Sequence, residues 1–229
     1  MIKDQVFGLL IGLILTTISY GFGLYFHWTD SINWLEAFTV FTSYWSTYLF
    51  VIQTRTSYIF GLISVLASIL LYYQSNLLSS MMFNIYLVPV MFWGWFRWGK
   101  DSDPRPVTFI ALKWWPVYIV GTAVTGLVMW WINTLFGGSN AFWDTTILAL
   151  SVLAQYGLDN KKIENWVFWL IGDIISVFVY WHQGLIIVAI QMGLFTFNAL
   201  WGLYEWRKTQ KVVVGYALHE MYISDPLIK

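Results

Sequence analysis

Asp173 is the side chain in this sequence best placed to do chemistry. It lies about eight residues into the apolar stretch 165–181, where Trp166, Trp169, Asp173, Ser176 and Tyr180 recur at i, i+3, i+7, i+10 and i+14 and so share one helical face. A carboxylate beside aromatic faces is how proteins hold a delocalised organic cation, each aromatic contact contributing ~0.5–2 kcal/mol. The same group, protonated or hydrogen-bonded, would serve equally to pin two helices together, and a proton-coupling role is a third reading. No His or Cys falls inside an apolar stretch and no second acid lies at the depth of Asp173. A general acid–base pair or an activated nucleophile is therefore hard to assemble, and the chain does not read as an enzyme.

Gln191, Asn198 and Glu205 follow at heptad spacing along the last apolar stretch. Amides donate and accept at once, which suits ribose hydroxyls or a carboxamide; it also suits bonds between helices, worth ~0.6 kcal/mol on average in membranes. Asn84 shares a face with Ser80, Met91, Trp95 and Trp98, in a stretch where Pro89 frees a backbone carbonyl. Trp45 and Trp169 fall deep in their stretches, whereas Trp114, Trp115, Trp130 and Trp131 sit where an interfacial belt belongs. Each deep ring is either helix packing or part of a ligand site. The chain has no Cys, and His27, His182 and His219 are too far apart in sequence to form a ligand motif, so neither a metal nor another cofactor is expected.

The elements that must position these residues follow from composition. Among 229 residues, 12 Lys and Arg balance 12 Asp and Glu, 59 % are hydrophobic, and the mean hydropathy is +0.63. Such a chain cannot cover itself with polar groups in water, and it reads as an all-α integral membrane protein. Zero net charge with no basic block excludes nucleic acid as a partner. Apolar stretches at 5–26, 34–52, 57–74, 77–96, 115–136, 142–158, 165–181 and 184–204 predict eight spans. The first is longer than a signal-peptide core and no small-residue cleavage site follows it, so it reads as a retained span. All 12 cations fall in alternate connections, which predicts that both termini are cytoplasmic. Segment 99–114, broken by Asp103-Pro104-Arg105-Pro106, is the one long polar connection; the tail from Thr209 holds only Val212 to Val214 as an apolar run.

Shifting the chain by 108 residues aligns 34–100 with 142–208 without a gap, and 12 of the 67 positions are identical, among them Ser43/Ser151, Tyr72/Tyr180, Trp93-Gly94/Trp201-Gly202 and Trp98/Trp206. The acids Glu36 and Asp144 also match. Each unit holds three spans, so a copy following directly would be inverted; the span between restores its orientation. The predicted order is 1 + 3 + 1 + 3: an N-terminal helix in 1–33, a first bundle in 34–100, a linker with its own helix in 101–141, a second bundle in 142–208 and a tail in 209–229. Two parallel three-helix bundles related by pseudo-twofold symmetry along the membrane normal are a transporter pattern, with substrate held between the repeats. Arg97 and Glu205 are equivalent positions of opposite charge, which suggests a pair forming an inner gate.

Several segments carry a resemblance: Tyr44-Trp45-Ser46-Thr47-Tyr48-Leu49, Ser57-Tyr58-Ile59-Phe60-Gly61-Leu62-Ile63-Ser64, Gly94-Trp95-Phe96-Arg97-Trp98, Phe142-Trp143-Asp144 and, above all, Lys162-Ile163-Glu164-Asn165-Trp166-Val167-Phe168-Trp169. Over 34–208 the chain resembles the Pnu family of bacterial vitamin transporters. Ser57 stands at the repeat position of Asn165, so the first copy lacks the Glu-Asn-Trp-x-x-Trp signature. The resemblance implies the SWEET-like architecture and facilitated diffusion of an unphosphorylated vitamin, nicotinamide riboside first, with thiamine or riboflavin as the alternative. It implies a bacterial cytoplasmic (inner) membrane location, a supply to NAD synthesis, and dependence on a cytoplasmic kinase that traps the substrate. It places Trp166 and Trp169 near the aromatic base and Asn198 at the ribose or carboxamide. The partners expected are the vitamin, the lipid bilayer and, in a homo-oligomer, further copies of the chain.

Overall fold

The computed structural model describes residues 2–74, 78–100, 103–135, 141–184 and 186–224; Leu77, Leu185 and Lys229 lie outside them. Among the described residues there are eight long helices: α1 (Ile2–Tyr25), α2 (Trp34–Val51), α3 (Ser57–Gln74), α4 (Leu78–Arg97), α5 (Trp115–Leu135), α6 (Ala141–Asp159), α7 (Asn165–His182) and α8 (Ile186–Ser224). Four of the eight are long and apolar enough to cross a bilayer by composition alone: Lys3–Tyr25, Ser57–Gln74, Leu112–Leu135 and Ile186–Lys211. Helices α2, α4, α6 and α7 run for 18, 20, 19 and 18 residues. At ~1.5 Å per residue they match a ~30 Å hydrocarbon core, although Trp, Tyr, Thr, Asn and Asp dilute their apolarity.

Local chemistry sets several boundaries. Asn33 caps α2 by accepting from the backbone N–H groups of Leu35 and Glu36 at 3.0 and 3.2 Å, and Glu36 sits in the first turn where the helix dipole favours an acid. Pro116 stands at the second residue of α5, where its missing N–H costs little. Pro89 lies within α4. Helix α8 does not stop near residue 208. Its 39 residues extend ~58 Å, about twice the hydrocarbon thickness, so it carries the expected tail outward as helix.

Packing closes six helices into a ring in the order α2, α3, α4, α6, α7, α8 and back to α2. Helix α1 leans on α2 and α8 from outside, and α5 leans on α6. Of α5 only Asn133 is buried, as expected of a helix with most of its surface in lipid. The largest core cluster gathers Phe50, Tyr58, Trp98, Leu158, Ile163, Trp166 and Trp206 at the end of the ring that carries Arg97 and Lys161, here termed the cationic end.

Segment 99–114 is built into that end rather than looped away from it. Its strands β1 (Gly99–Lys100) and β2 (Asp103–Pro104) pair antiparallel, and Thr108 bridges the α6–α7 turn, its N–H donating to Lys161 O and its carbonyl accepting from Ile163 N, both at 3.0 Å. Val107 and Ile110 are buried at 3 % and 6 % exposure, so two apolar side chains of a mainly polar connection hold it as a strap across the bundle.

Candidate functional site

The ring of helices encloses a cavity of about 240 Å³, to which α1 and α5 contribute nothing. The α7 stripe read from the sequence faces it in full, with Trp166, Trp169, Asp173, Ser176 and Tyr180 all in the wall. Gln191 and Asn198 of α8 and Asn84 of α4 join them. Asn84 donates to Ser80 O of its own helix at 2.8 Å, which fixes its amide. Asp173 is 6 % exposed, and no described residue donates a hydrogen bond to its carboxylate. The indole N–H of Trp166 is sealed in protein and has no partner among the described residues. A carboxyl group with no described donor and the two tryptophan rings thus border one small apolar-walled space, the arrangement expected of a preformed small-molecule site.

Trp45 is outside this wall. Its ring stacks on Phe60 at 3.9 Å between centroids and lies against Gly8 of α1. Thr39, Ser43, Ser46, Thr47 and Phe50 are the α2 residues that face inward, and position 45 points away from that arc. Nor do Arg97 and Glu205 form an ion pair among the described residues: Arg97 donates from Nε to Asn160 Oδ1 at 3.1 Å and lies over the Trp93 ring. Glu36 accepts from the Tyr20 hydroxyl of α1 at 3.0 Å, whereas Asp144 lines the cavity.

Trp166 floors the cationic end of the cavity, and it belongs to a buried group of aromatic rings held in a matched way. Trp166 packs on Gly202, edge-on to Trp206 at 5.4 Å; Tyr58, 108 residues before Trp166, packs on Gly94, edge-on to Trp98 at 5.1 Å. Each glycine leaves room that a Cβ would take from the ring. Trp98 then donates across to Leu158 O of α6 at 3.0 Å, and Trp206 to Val51 O of α2 at 3.1 Å. The two indoles meet each other 6.0 Å apart. Gln53 and Lys161, again 108 apart, both adopt positive φ (60° and 48°), and their side chains touch at 3.4 Å. At the opposite end the hydroxyls of Tyr72 and Tyr180, a third such pair, are in contact.

The Glu-Asn-Trp run acquires three separate jobs. Glu164 receives the N–H of Ile110 on both carboxylate oxygens, at 2.9 and 3.1 Å, and so anchors the strap. Asn165 donates to Lys162 O at 2.6 Å and closes the α6–α7 turn against Gly157. Trp166 makes the floor. Burial, and then repulsion from Arg97, holds Arg105 of the strap below its ordinary value; burial, and then repulsion from Arg105, lowers Lys162, with Glu164 partly offsetting it.

Gln155 and Asp159 carry no motif in the sequence, and Tyr58 enters there only within a family-resemblance segment. Gln155 lines the cavity and donates to Asp159 Oδ1 at 2.9 Å, and the Tyr58 hydroxyl donates to the same oxygen at 2.7 Å. The available signal was the spacing of Asp144, Leu148, Ser151 and Gln155 at i, i+4, i+7 and i+11, an inward stripe on α6.

Residues 33–208 match the family model described as nicotinamide mononucleotide transporter. The chain belongs to this family. Membership of the nicotinamide mononucleotide transporter family makes it a transporter rather than an enzyme, and with its apolar helices a multi-pass membrane protein. The family resemblance read from the signature segments is thereby established. Similar curated family members include the nicotinamide riboside transporter PnuC of Escherichia coli strain K12, 24 % identical over 223 residues that cover 84 % of this chain and 91 % of that protein. The PnuC of Haemophilus influenzae is 28 % identical over 163 residues, covering 68 % of this chain and 71 % of its own. Among solved structures, the crystal structure of the vitamin B3 transporter PnuC superposes with a TM-score of 0.73 at 20 % identity, over 91 % of this chain and 96 % of that one. The fold is therefore shared.

Proposed function

We propose that this chain carries nicotinamide riboside across a bacterial cytoplasmic membrane by facilitated diffusion, with both termini in the cytoplasm and a cytoplasmic kinase trapping the solute for NAD synthesis. The observation that carries the reading is Asp173: a carboxylate with no described donor, in a cavity walled by Trp166 and Trp169, is a counter-charge for a ligand that brings its own delocalised cation. Asn198, Gln191 and Asn84 supply amides for the hydroxyls and carboxamide of such a solute. The curated relatives are named for this substrate.

The architecture we infer is 1 + 3 + 1 + 3, two SWEET-like bundles about a pseudo-twofold. Support comes from the ring order, in which α2 against α8 and α4 against α6 are exchanged by the 108-residue shift, and from the outer positions of α1 and α5. Residues that touch their own repeat equivalents, as Tyr72/Tyr180, Gln53/Lys161 and Trp98/Trp206 do, belong beside the axis. Alternate rocking of the bundles about these contacts would expose the cavity to one side at a time. Inner-side opening would break the crossed indole bonds, and outer-side opening the tyrosine contact.

The test is a titration of the detergent-purified protein with nicotinamide riboside, followed by tryptophan fluorescence and repeated with Trp169→Ala. Saturable quenching that weakens in the variant supports substrate and site together; quenching by thiamine alone would replace the named vitamin and keep the fold and site. Flux in proteoliposomes that is saturable and indifferent to an imposed pH gradient supports uniport, and flux that follows the gradient overturns it.

A further inference from the structure

Gln155 stands one turn before the end of α6, 3 % exposed and in the cavity wall. Its Nε2 donates to Asp159 Oδ1, an oxygen that already accepts the Tyr58 hydroxyl. Because that oxygen takes two donors, only the NH2 end of the amide can face Asp159, and Oε1 is turned the other way. Oε1 accepts from no described group and is not sealed in protein, so it opens on the cavity. The lock is itself rigid. Asp159 and Tyr58 are each 2 % exposed, and Gly94 packs against both, with 2.6 Å from the position of an added Cβ to Asp159 Oδ1. The residue 108 positions earlier, Thr47, also lines the cavity, but its hydroxyl is directed to Ser43 O at 2.8 Å. The repeat position thus carries no locked amide acceptor, and the one at Gln155 lies in the bundle that carries Trp166 and Trp169.

We propose that Gln155 is a specificity-determining residue: its locked Oε1 is an acceptor that takes an N–H from a primary amide carried on the aromatic ring of the solute, with Asp159 and Tyr58 as positioning residues. The inference rests on the cavity being the solute site and deepens it by naming the group recognised. An amide held so cannot flip to present its donor end, so a solute with no N–H at that position leaves Oε1 unpaired.

The probes are nicotinamide riboside and 3-acetylpyridine riboside, in which a methyl group replaces the NH2 at the same charge and nearly the same shape. Dissociation constants are measured on the full-length protein in detergent. Wild type is expected to prefer nicotinamide riboside by about 10-fold, the scale of one hydrogen bond. Gln155→Met should weaken nicotinamide riboside about 10-fold, leave 3-acetylpyridine riboside unchanged, and so bring the preference close to one. Asp159→Asn keeps an Oδ1 acceptor and should keep the preference, whereas Asp159→Leu should lose it. If Asp159→Leu fails to fold, Gln155→Met decides alone. Equal weakening of both probes by Gln155→Met, or no change in either, would overturn the proposal while leaving the solute site standing. Absence of saturable binding of either probe to wild type would remove the transport reading, and this inference with it.

Discussion

Gly202→Ala is a direct perturbation of the cavity floor on the Trp166 side. An alanine Cβ at position 202 would lie 2.5 Å from Cδ2 and Cε2 of Trp166 and 2.6 Å from Cε3, directly over the indole. Carbon atoms settle at about 3.5–4.0 Å, so the ring must retreat by roughly 1 Å or more. It is 3 % exposed and is blocked on another side by Trp206, 5.4 Å away at 87°. The cavity is the open side, so the ring moves into the space the solute needs. Overpacking of this kind costs about 1–3 kcal/mol of stability. A steric loss of similar size at the site would weaken the solute by roughly 5- to 150-fold. Thermal unfolding in detergent, read by loss of the monodisperse peak after heating, and the tryptophan titration measure the two effects separately. Gly121→Ala is the control: nothing lies within 4 Å of its added Cβ, and replacing a mid-helix glycine there should be neutral or stabilising by up to ~1 kcal/mol. If Gly202→Ala matched wild type in both assays, the close packing of Trp166 on α8 would not be what shapes the floor.

Three further outcomes are expected. Asp173→Asn should weaken nicotinamide riboside by roughly 150- to 300-fold, about 3 kcal/mol for a charge pair near 5 Å at an effective dielectric of about 20, and should barely affect the uncharged dihydro form; equal losses for both would mean the carboxylate is structural. Trp206→Phe removes the indole donor to the buried Val51 carbonyl and should destabilise by about 1–3 kcal/mol, whereas after Trp98→Phe the Leu158 carbonyl still accepts from Lys161 N at 2.9 Å and the cost should be about 0.5–1.5 kcal/mol. Because the rings touch, the double variant should depart from additivity by about 0.5 kcal/mol or more. Strict additivity would show two independent contacts. Glu164→Gln replaces a two-oxygen acceptor with one, so hydrogen exchange at the Ile110 amide should accelerate about 5- to 10-fold with little change in the α7 core; unchanged exchange would mean the strap is held by Val107 and Ile110 burial alone.

The α7 stripe was legible because helical period alone decides which residues share a face, and Asp173 sits too deep to be indifferent to that face. Depth along a helix is not direction around it, which is why Trp45 read as a site residue and lies instead against α1. The 108-residue shift was visible as identities, but a shift carries no information about distance from an axis. Arg97 and Glu205 are equivalents without an ion pair between them, while Gln53 and Lys161, unremarkable in sequence, meet. The Glu-Asn-Trp run could be recognised and not explained: the partner of Glu164 is an amide 54 positions away, in a segment whose composition reads as open loop. Gln155 and Asp159 escaped notice for a related reason. Their importance lies in a bond to Tyr58, more than a hundred residues off.

Residues that touch their own counterparts carry a history as well as a contact. If one ancestral three-helix segment once paired with a second, identical copy, any change beside the axis appeared twice and had to be compatible with itself. A tryptophan or a tyrosine meets that demand, since two aromatic edges or two hydroxyls can satisfy each other, and Trp98/Trp206 and Tyr72/Tyr180 are still the same residue on both sides. Two lysines facing each other would not have met it. Once the copies were joined in a single chain they could drift apart, and Gln53 with Lys161 is what such freedom permits: an acceptor on one side, a donor on the other, and a complementarity no symmetric dimer can reach. On the same logic Gly61 and Val65 lie opposite Trp169 and Asp173. On that premise a duplicated pore with two equal halves would have become one with a front and a back, able to hold a lopsided molecule in a single orientation.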